Sequence, residues 1–263
     1  MPSTYAHTRF GGKVLLLLPE EVRQALLPHR ALYDVGLQGP DVLFHYKALS
    51  KNPVNELGRA MHRQSGLKCF VPAVSRAQDD AYKAYLCGVL CHFVLDSVCH
   101  GTVNAVSAKT GMHHFDVETE LERGLMHQDG LDPVRFHPTA HFAPDTELSR
   151  VMADFYGIGQ QEAMGAAKGM KRNIDLLVPR NAVWRSAVGG VLKAAHADNF
   201  FRLMIPKEPR SGLAQEIAQL TALCGQAEAI ALRLIRRFFE GTLLEDEQLK
   251  LDFATGTKVE ESI

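Results

Sequence analysis

The sequence predicts an all-α protein folded as one multi-helix domain. Three observations carry this. Alternating strand-like runs are almost absent from the 263 residues. Helix start signals recur along the chain. A central apolar run, 84–98, reads as a buried helix.

The elements follow in order. His7 precedes any regular pattern. Pro19-Glu20-Glu21 opens a helix, with proline and acids where a first turn favours them. Gly36-Leu37-Gln38-Gly39-Pro40-Asp41 is rich in turn formers and predicts a loop, in which Asp41 is by default a turn or cap residue. Asn52-Pro53-Val54-Asn55 begins a helix, Asn52 as cap and Pro53 at the first position, that carries Met61-His62 at its far end. After the central helix, 111–118 opens an amphipathic pattern that continues through Leu121 and Leu125, with Thr110 to cap it and Gly130 to end it. Asp145 or Thr146 starts another helix, and 213–238 is a long apolar pattern with Arg236-Arg237 near its end. No Pro/Gly/Ser linker, repeat or low-complexity tract divides the chain, so one domain is expected over 1–255, with 256–263 a frayed tail.

The central helix carries the chemistry. His92, Asp96 and His100 stand four residues apart. A step of four drifts ~40° around a helix and climbs ~6 Å, so the three side chains lie nearly in line. A lone histidine on an apolar helix is ordinarily a core residue satisfied by backbone. Asp96 changes that reading, because a buried carboxylate is costly unless it is paired or bound to a cation. His92 and His100 lie ~12 Å apart along the axis, too far to hold one ion. Two histidines flanking a carboxylate therefore suggest a multi-metal site. His114 and Glu118 are again four apart and share a face of the next helix, a spacing that also suits a simple surface contact. His113 is the rival to His114, but its partner four residues on is Val117, which favours His114 as the inward one.

Composition narrows the function. Basic and acidic residues number 29 and 30, which leaves no general nucleic-acid footprint, and no stable nucleic-acid partner is expected. Lys168, Lys171 and Arg172 read as a solvated face. The apolar stretch 14–18 is too short to span a membrane and lacks the marks of a leader, so neither a transmembrane segment nor a signal peptide is expected, and a cytoplasmic location is. Five cysteines in that setting predict reduced thiols. Cys87, Cys91 and Cys99 fall on the central helix as small core residues, a thiolate ligand being the lesser alternative.

Taken in order, His7, Asp41, His62, His92, Asp96, His100, His114 and Glu118 resemble the zinc-dependent phospholipase C family, to which the zinc-type single-strand-specific nucleases are related. The resemblance runs to about Glu118, with similar context around Gly39-Pro40-Asp41, Leu49-Ser50-Lys51-Asn52 and His92-Phe93-Val94-Leu95-Asp96. Beyond residue 130 only helical character is recognisable. The resemblance implies two or three zinc ions. One would take Asp41, His62, His92 and one oxygen of Asp96; a second His100, His114 and Glu118; a third His7 and the other oxygen of Asp96. In secreted members an N-terminal Trp also holds the third ion, whereas this sequence starts Met1-Pro2 and its single Trp is Trp184.

The implied activity is hydrolysis of a phospholipid or related phosphodiester, by a hydroxide held on the metals with Asp41 or the metals assisting deprotonation. Paired metals suit this, since two ions ~3.5–4 Å apart clamp the attacking and leaving oxygens of a phosphoryl transfer. A nuclease or nucleotidase on the same cluster is the first alternative, and a non-catalytic metal-binding protein the second. Phe44, Tyr46, Phe70 and Tyr82 are the aromatics available to stack bases. Secreted phospholipases place an aromatic after the loop aspartate to cradle choline; here it is Val42, so choline specificity does not carry over.

Overall fold

In the computed structural model, which describes residues 4–179, 181–194 and 197–259, the first described element is a helix, α1 (Thr4–Leu17). His7 thus lies inside the first regular element and not ahead of it. α1 has no acid in its first turn and no base in its last, so the usual terminal marks are missing. A distant residue caps it instead: Glu122 Oε1 accepts from the backbone N–H groups of Tyr5 and Ala6, at 2.5 and 3.2 Å.

α2 (Glu20–Leu26) follows Pro19, and α3 (Arg30–Gly36) comes next. The expected loop is instead largely regular and buried. After α3 the chain enters a 3-10 helix, Gly39–His45, in which every residue but Phe44 is buried. α4 (Pro53–His62) starts as predicted, with Asn52 Oδ1 accepting from Asn55 N at 3.0 Å. Asn55 Nδ2 donates to the carbonyls of Leu43 and Tyr46, at 2.7 and 2.9 Å, and so fastens α4 to the 3-10 segment.

α5 (Gly66–Arg76) leads to α6 (Asp80–Thr110), capped by Asp79 and ended by Gly111 in the left-handed region. Thr110 is therefore the last residue of α6, and its hydroxyl donates to Val106 O within that helix. The cap of α7 (His114–Gln128) is His113, whose Nδ1 accepts from Phe115 N at 3.2 Å. α8 (Thr146–Tyr156) is capped by Asp145, α9 (Gln160–Leu177) follows, and α10 (Ala182–Ala194) and α11 (Asp198–Arg202) precede α12 (Ala214–Phe239). Among the described residues there is no strand, only the isolated bridges Ser65–Asp252 and Leu251–Lys258.

α6 is the axis of the core. It packs against α1, α2, α3, α5, α7, α8 and α12 and is apolar on nearly all sides, as a fully enclosed helix must be. Of the described helices it alone is long and apolar enough to cross a membrane, yet 83% of that apolar window is buried in the protein. α3 crosses it at backbone contact. A Cβ on Gly88 would lie 2.3 Å from Tyr33 O, and one on Gly36 2.4 Å from Tyr85 O. This crossing brings the Leu37 carbonyl within 3.1 Å of His92 Nδ1.

The segment 252–259 returns to the centre. Ala254 N donates to His62 O at 3.1 Å, and Asp252 Oδ1 accepts from Thr255 N and Gly256 N. Val259 N donates to Lys250 O. Residues 256–259, expected as the start of a frayed tail, are thus hydrogen bonded to the body; 260–263 lie outside the described residues.

Candidate metal centre

Five elements deliver the candidate side chains to one place: α1 brings His7, the 3-10 helix Asp41, α4 His62, α6 the His92–Asp96–His100 row, and α7 Glu118 with His114. Asp96, with no solvent exposure, is the hub. Its Oδ1 lies 3.3 Å from His7 Nε2. Its Oδ2 lies 3.1 Å from His92 Nε2 and 3.9 Å from both His62 Nε2 and His100 Nδ1. His62 Nε2 is 3.0 Å from Asp41 Oδ1, and His100 Nε2 is 3.5 Å from Glu118 Oε1.

Three backbone carbonyls decide what those contacts are. His62 Nδ1 donates to Gly58 O at 2.7 Å, His92 Nδ1 to Leu37 O at 3.1 Å, and His100 Nδ1 to Phe253 O at 2.5 Å. A carbonyl only accepts, so each Nδ1 carries the proton. In the neutral ring each Nε2 then presents a lone pair. Those lone pairs face Asp41, Asp96 and Glu118, so acceptor confronts acceptor. Such a contact needs a cation between the partners, or a proton on one of them. The pattern is the outer shell of metal-ligating histidines, which tie the second nitrogen to a carbonyl or carboxylate.

The buried atoms confirm the fit. His7 Nδ1 and Nε2, His62 Nε2, His92 Nε2, both Asp96 oxygens and both Glu118 oxygens have no aligned hydrogen-bond partner. Orphaned buried polar atoms are rare and costly in a folded protein. Here they converge. Two overlapping groups, His7–His92–Asp96 and Asp41–His62–His92, each place their ligand atoms within 4.8 Å of one another. All members are buried and none is a thiol. The five cysteines are free, buried core residues. The two groups fit zinc, which takes imidazole and carboxylate ligands.

Electrostatics in the metal-free protein follow. Burial opposes the charged form of Asp96, but His92 and His100 beside it hold its carboxyl well below the usual range. Burial, aided by repulsion from His92, pushes His7 down to about 4. Burial lowers His100 as well. Glu118, without a hydrogen-bonding partner, is driven well above the usual carboxyl range by burial. A carboxylate so placed holds a proton until a cation takes it over.

One turn beyond Glu118, burial also pushes Glu122 up to about 8, although the Ala6 and Tyr5 N–H groups favour its charged form. Its folded pKa lies above the ordinary 4.5. Its contribution to stability is therefore complete below about 4.5 and is lost as pH rises through about 8. Glu122→Gln keeps the acceptor oxygen and removes the titration. The melting temperature of the metal-free variant should gain on that of the parent as pH rises from about 5 to about 8.5. An unchanging difference would show that Glu122 ionises without cost.

The structure also separates the candidates. His100 and Glu118 sit beside the two tight groups and belong to neither. His114, half-buried and stacked on His113, shares the lining of a cleft of about 610 Å³ with His100. Asp41 and His62 line the same cleft. Of the four aromatics considered for base stacking, Phe44 alone lines it; Phe70 and Tyr82 are core, and the Tyr46 ring packs beside Gly165. Val42 is fully buried. Sequence reasoning missed Phe253, whose carbonyl orients His100 and whose ring packs against His62, His92 and Phe93. It lies 153 residues from His100, and no local pattern marks it. Gly39 is a further requirement. It has φ +48°, and a Cβ there would strike the His92 ring at 2.4 Å.

A helical body with shared buried carboxylates and imidazoles oriented by carbonyls defines a multi-histidine metal-centre protein. The chain belongs to the zinc-dependent phospholipase C family, whose sequence model matches residues 6–168. The match spans all eight candidate residues and reaches α9, well past the limit of the recognisable motifs. Metal-dependent phospholipid hydrolysis is the activity of that family. No curated protein and no solved structure matches the chain.

Proposed function

We propose that the chain is a zinc-dependent phosphodiesterase that hydrolyses phospholipid in the manner of a phospholipase C. The observation that carries this is the set of imidazole lone pairs turned toward buried carboxylates beside an open cleft. Asp41, His62, His92 and one oxygen of Asp96 would hold one ion. His92 has only Nε2 to offer, because Leu37 O occupies Nδ1, so although it borders both groups it would serve only one ion. His100, His114 and Glu118 would hold another ion, and His7 with the remaining Asp96 oxygen a third.

Bound zinc supplies Lewis acidity, which lowers the pKa of water and neutralises phosphoryl charge. The protein does the rest. Asp41 lines the cleft and is the carboxylate assigned to accept the proton of the attacking water. The Gly58, Leu37 and Phe253 carbonyls keep three imidazoles in one tautomer and one orientation. The apolar body of α6 keeps bulk water from the far side of Asp96.

A nuclease reading has its own support. Phe44, Phe115 and Phe200 line the cleft together with Arg59 and Arg63, a combination suited to stacked bases and phosphates. The test is metal analysis of the purified protein, followed by parallel assays on a phospholipid, a short single-stranded DNA and bis-p-nitrophenyl phosphate. Lipid cleavage that chelator abolishes and zinc restores is expected. Cleavage of DNA alone would select the nuclease reading. No turnover of any of the three at full zinc content would select a non-catalytic role.

A further inference from the structure

The cleft contains a histidine that the metal grouping does not use. His45 ends the 3-10 helix that carries Asp41, is 6% exposed, and lines the cleft. Its ring meets Phe200 edge-on, with centroids 6.3 Å apart. Its Nδ1 lies 3.3 Å from Asn173 Nδ2, on α9. An amide nitrogen only donates, so His45 Nδ1 accepts and the proton of the neutral ring resides on Nε2. This is the reverse of His62, His92 and His100, whose Nδ1 atoms all donate. His45 lines the cleft, and among the described residues its only polar contact is through Nδ1, so Nε2–H is left for a ligand. The cleft therefore holds imidazoles of two kinds: His62 and His100, whose Nε2 atoms offer lone pairs, and His45, whose Nε2 offers a hydrogen.

We propose that His45 donates Nε2–H to a phosphoryl oxygen of the substrate, with Asn173 setting the tautomer. This rests on the phosphodiesterase reading and adds a non-metal donor to it. A donor fixed in a water-poor site stabilises charge that develops on oxygen without reorganising. The ring is suited to stay neutral. Burial pushes His45 down to about 4, against the pull of Asp41, so at neutral pH it donates without carrying charge. A neutral ring also avoids repelling cations held nearby.

The experiment pairs two substitutions with a tautomer measurement. His45→Gln keeps an N–H near the Nε2 position, whereas His45→Asn is too short to reach it. With zinc content equal to that of the parent, His45→Asn should lower kcat on bis-p-nitrophenyl phosphate roughly a hundredfold, the loss typical of one oxyanion donor. His45→Gln should retain most of the activity. A role confined to packing would lower both alike and would overturn the proposal.

Long-range ¹H–¹⁵N spectra of histidine-labelled protein, with the His45 signals assigned by the Gln variant, should show the Nε2–H tautomer with and without zinc. Inorganic phosphate added to the zinc-loaded protein should shift that resonance. An Nδ1–H tautomer, or no response to phosphate, would refute the assignment. Should the parent fail to turn over the diester, the phosphodiesterase reading fails alone, and the tautomer and phosphate response still decide the role of His45.

Discussion

Asp96→Asn is expected to leave the protein with roughly one zinc fewer per chain, a greater loss than substitution of any single outer ligand produces. Asp96 turns its two oxygens in different directions, Oδ1 toward His7 and Oδ2 toward His92, His62 and His100. The amide matches its shape but lacks the charge that lets one group serve two cations. Its N–H₂ has no lone pair for a cation, so one side of the bridge is lost, and the oxygen that remains on the other side is neutral. Removing one partner from a buried charged set costs about 3–5 kcal/mol, and metal binding is coupled to folding, so the melting temperature should fall with the zinc content. Wild-type zinc measured in the variant by mass spectrometry would reduce Asp96 to a buried carboxylate with no bridging role.

Gly88→Val should be similarly severe for a mechanical reason. The Gly88 Cβ position lies 2.3 Å from Tyr33 O and 2.8 Å from the Gly36 carbonyl carbon, both backbone atoms that cannot swing aside. α3 must then move off α6. Overpacking of this kind costs ~1–3 kcal/mol where side chains can adjust, and here backbone meets backbone, so the upper end or beyond is expected. The displacement would withdraw Leu37 O from His92 Nδ1 and release the tautomer that aims Nε2 at Asp96. Reduced zinc affinity alongside the lost stability is the signature. A destabilised variant with parental zinc affinity would show that the crossing serves packing alone.

Much of the centre was legible from residue spacing. His92, Asp96 and His100 had to align, because a helix repeats its face every four residues whatever surrounds it. Asn52, Asp145 and Gly130 marked ends by chemistry confined to a few neighbouring residues. His7 was legible as a ligand type but not as helical, because the cap of its helix is Glu122, 115 positions away.

The sequence by itself determined the helical class, the in-line row on α6 and the ligand types. Helical period and capping are local, and local chemistry can be read along the chain. Only the tertiary structure decided which nitrogens of His45, His92 and His100 are free. His62 is oriented locally by Gly58 O of its own helix, but the choices for His92, His100 and His45 rest on the carbonyls of Leu37 and Phe253 and on the Asn173 amide, all remote in sequence from the rings they orient. The same holds for the division of Asp96 between His7 and His92, and for the closing of residues 252–259 over the site. A tautomer is set by whichever group lies within ~3 Å of a ring nitrogen, and that neighbour is known only once distant segments have packed.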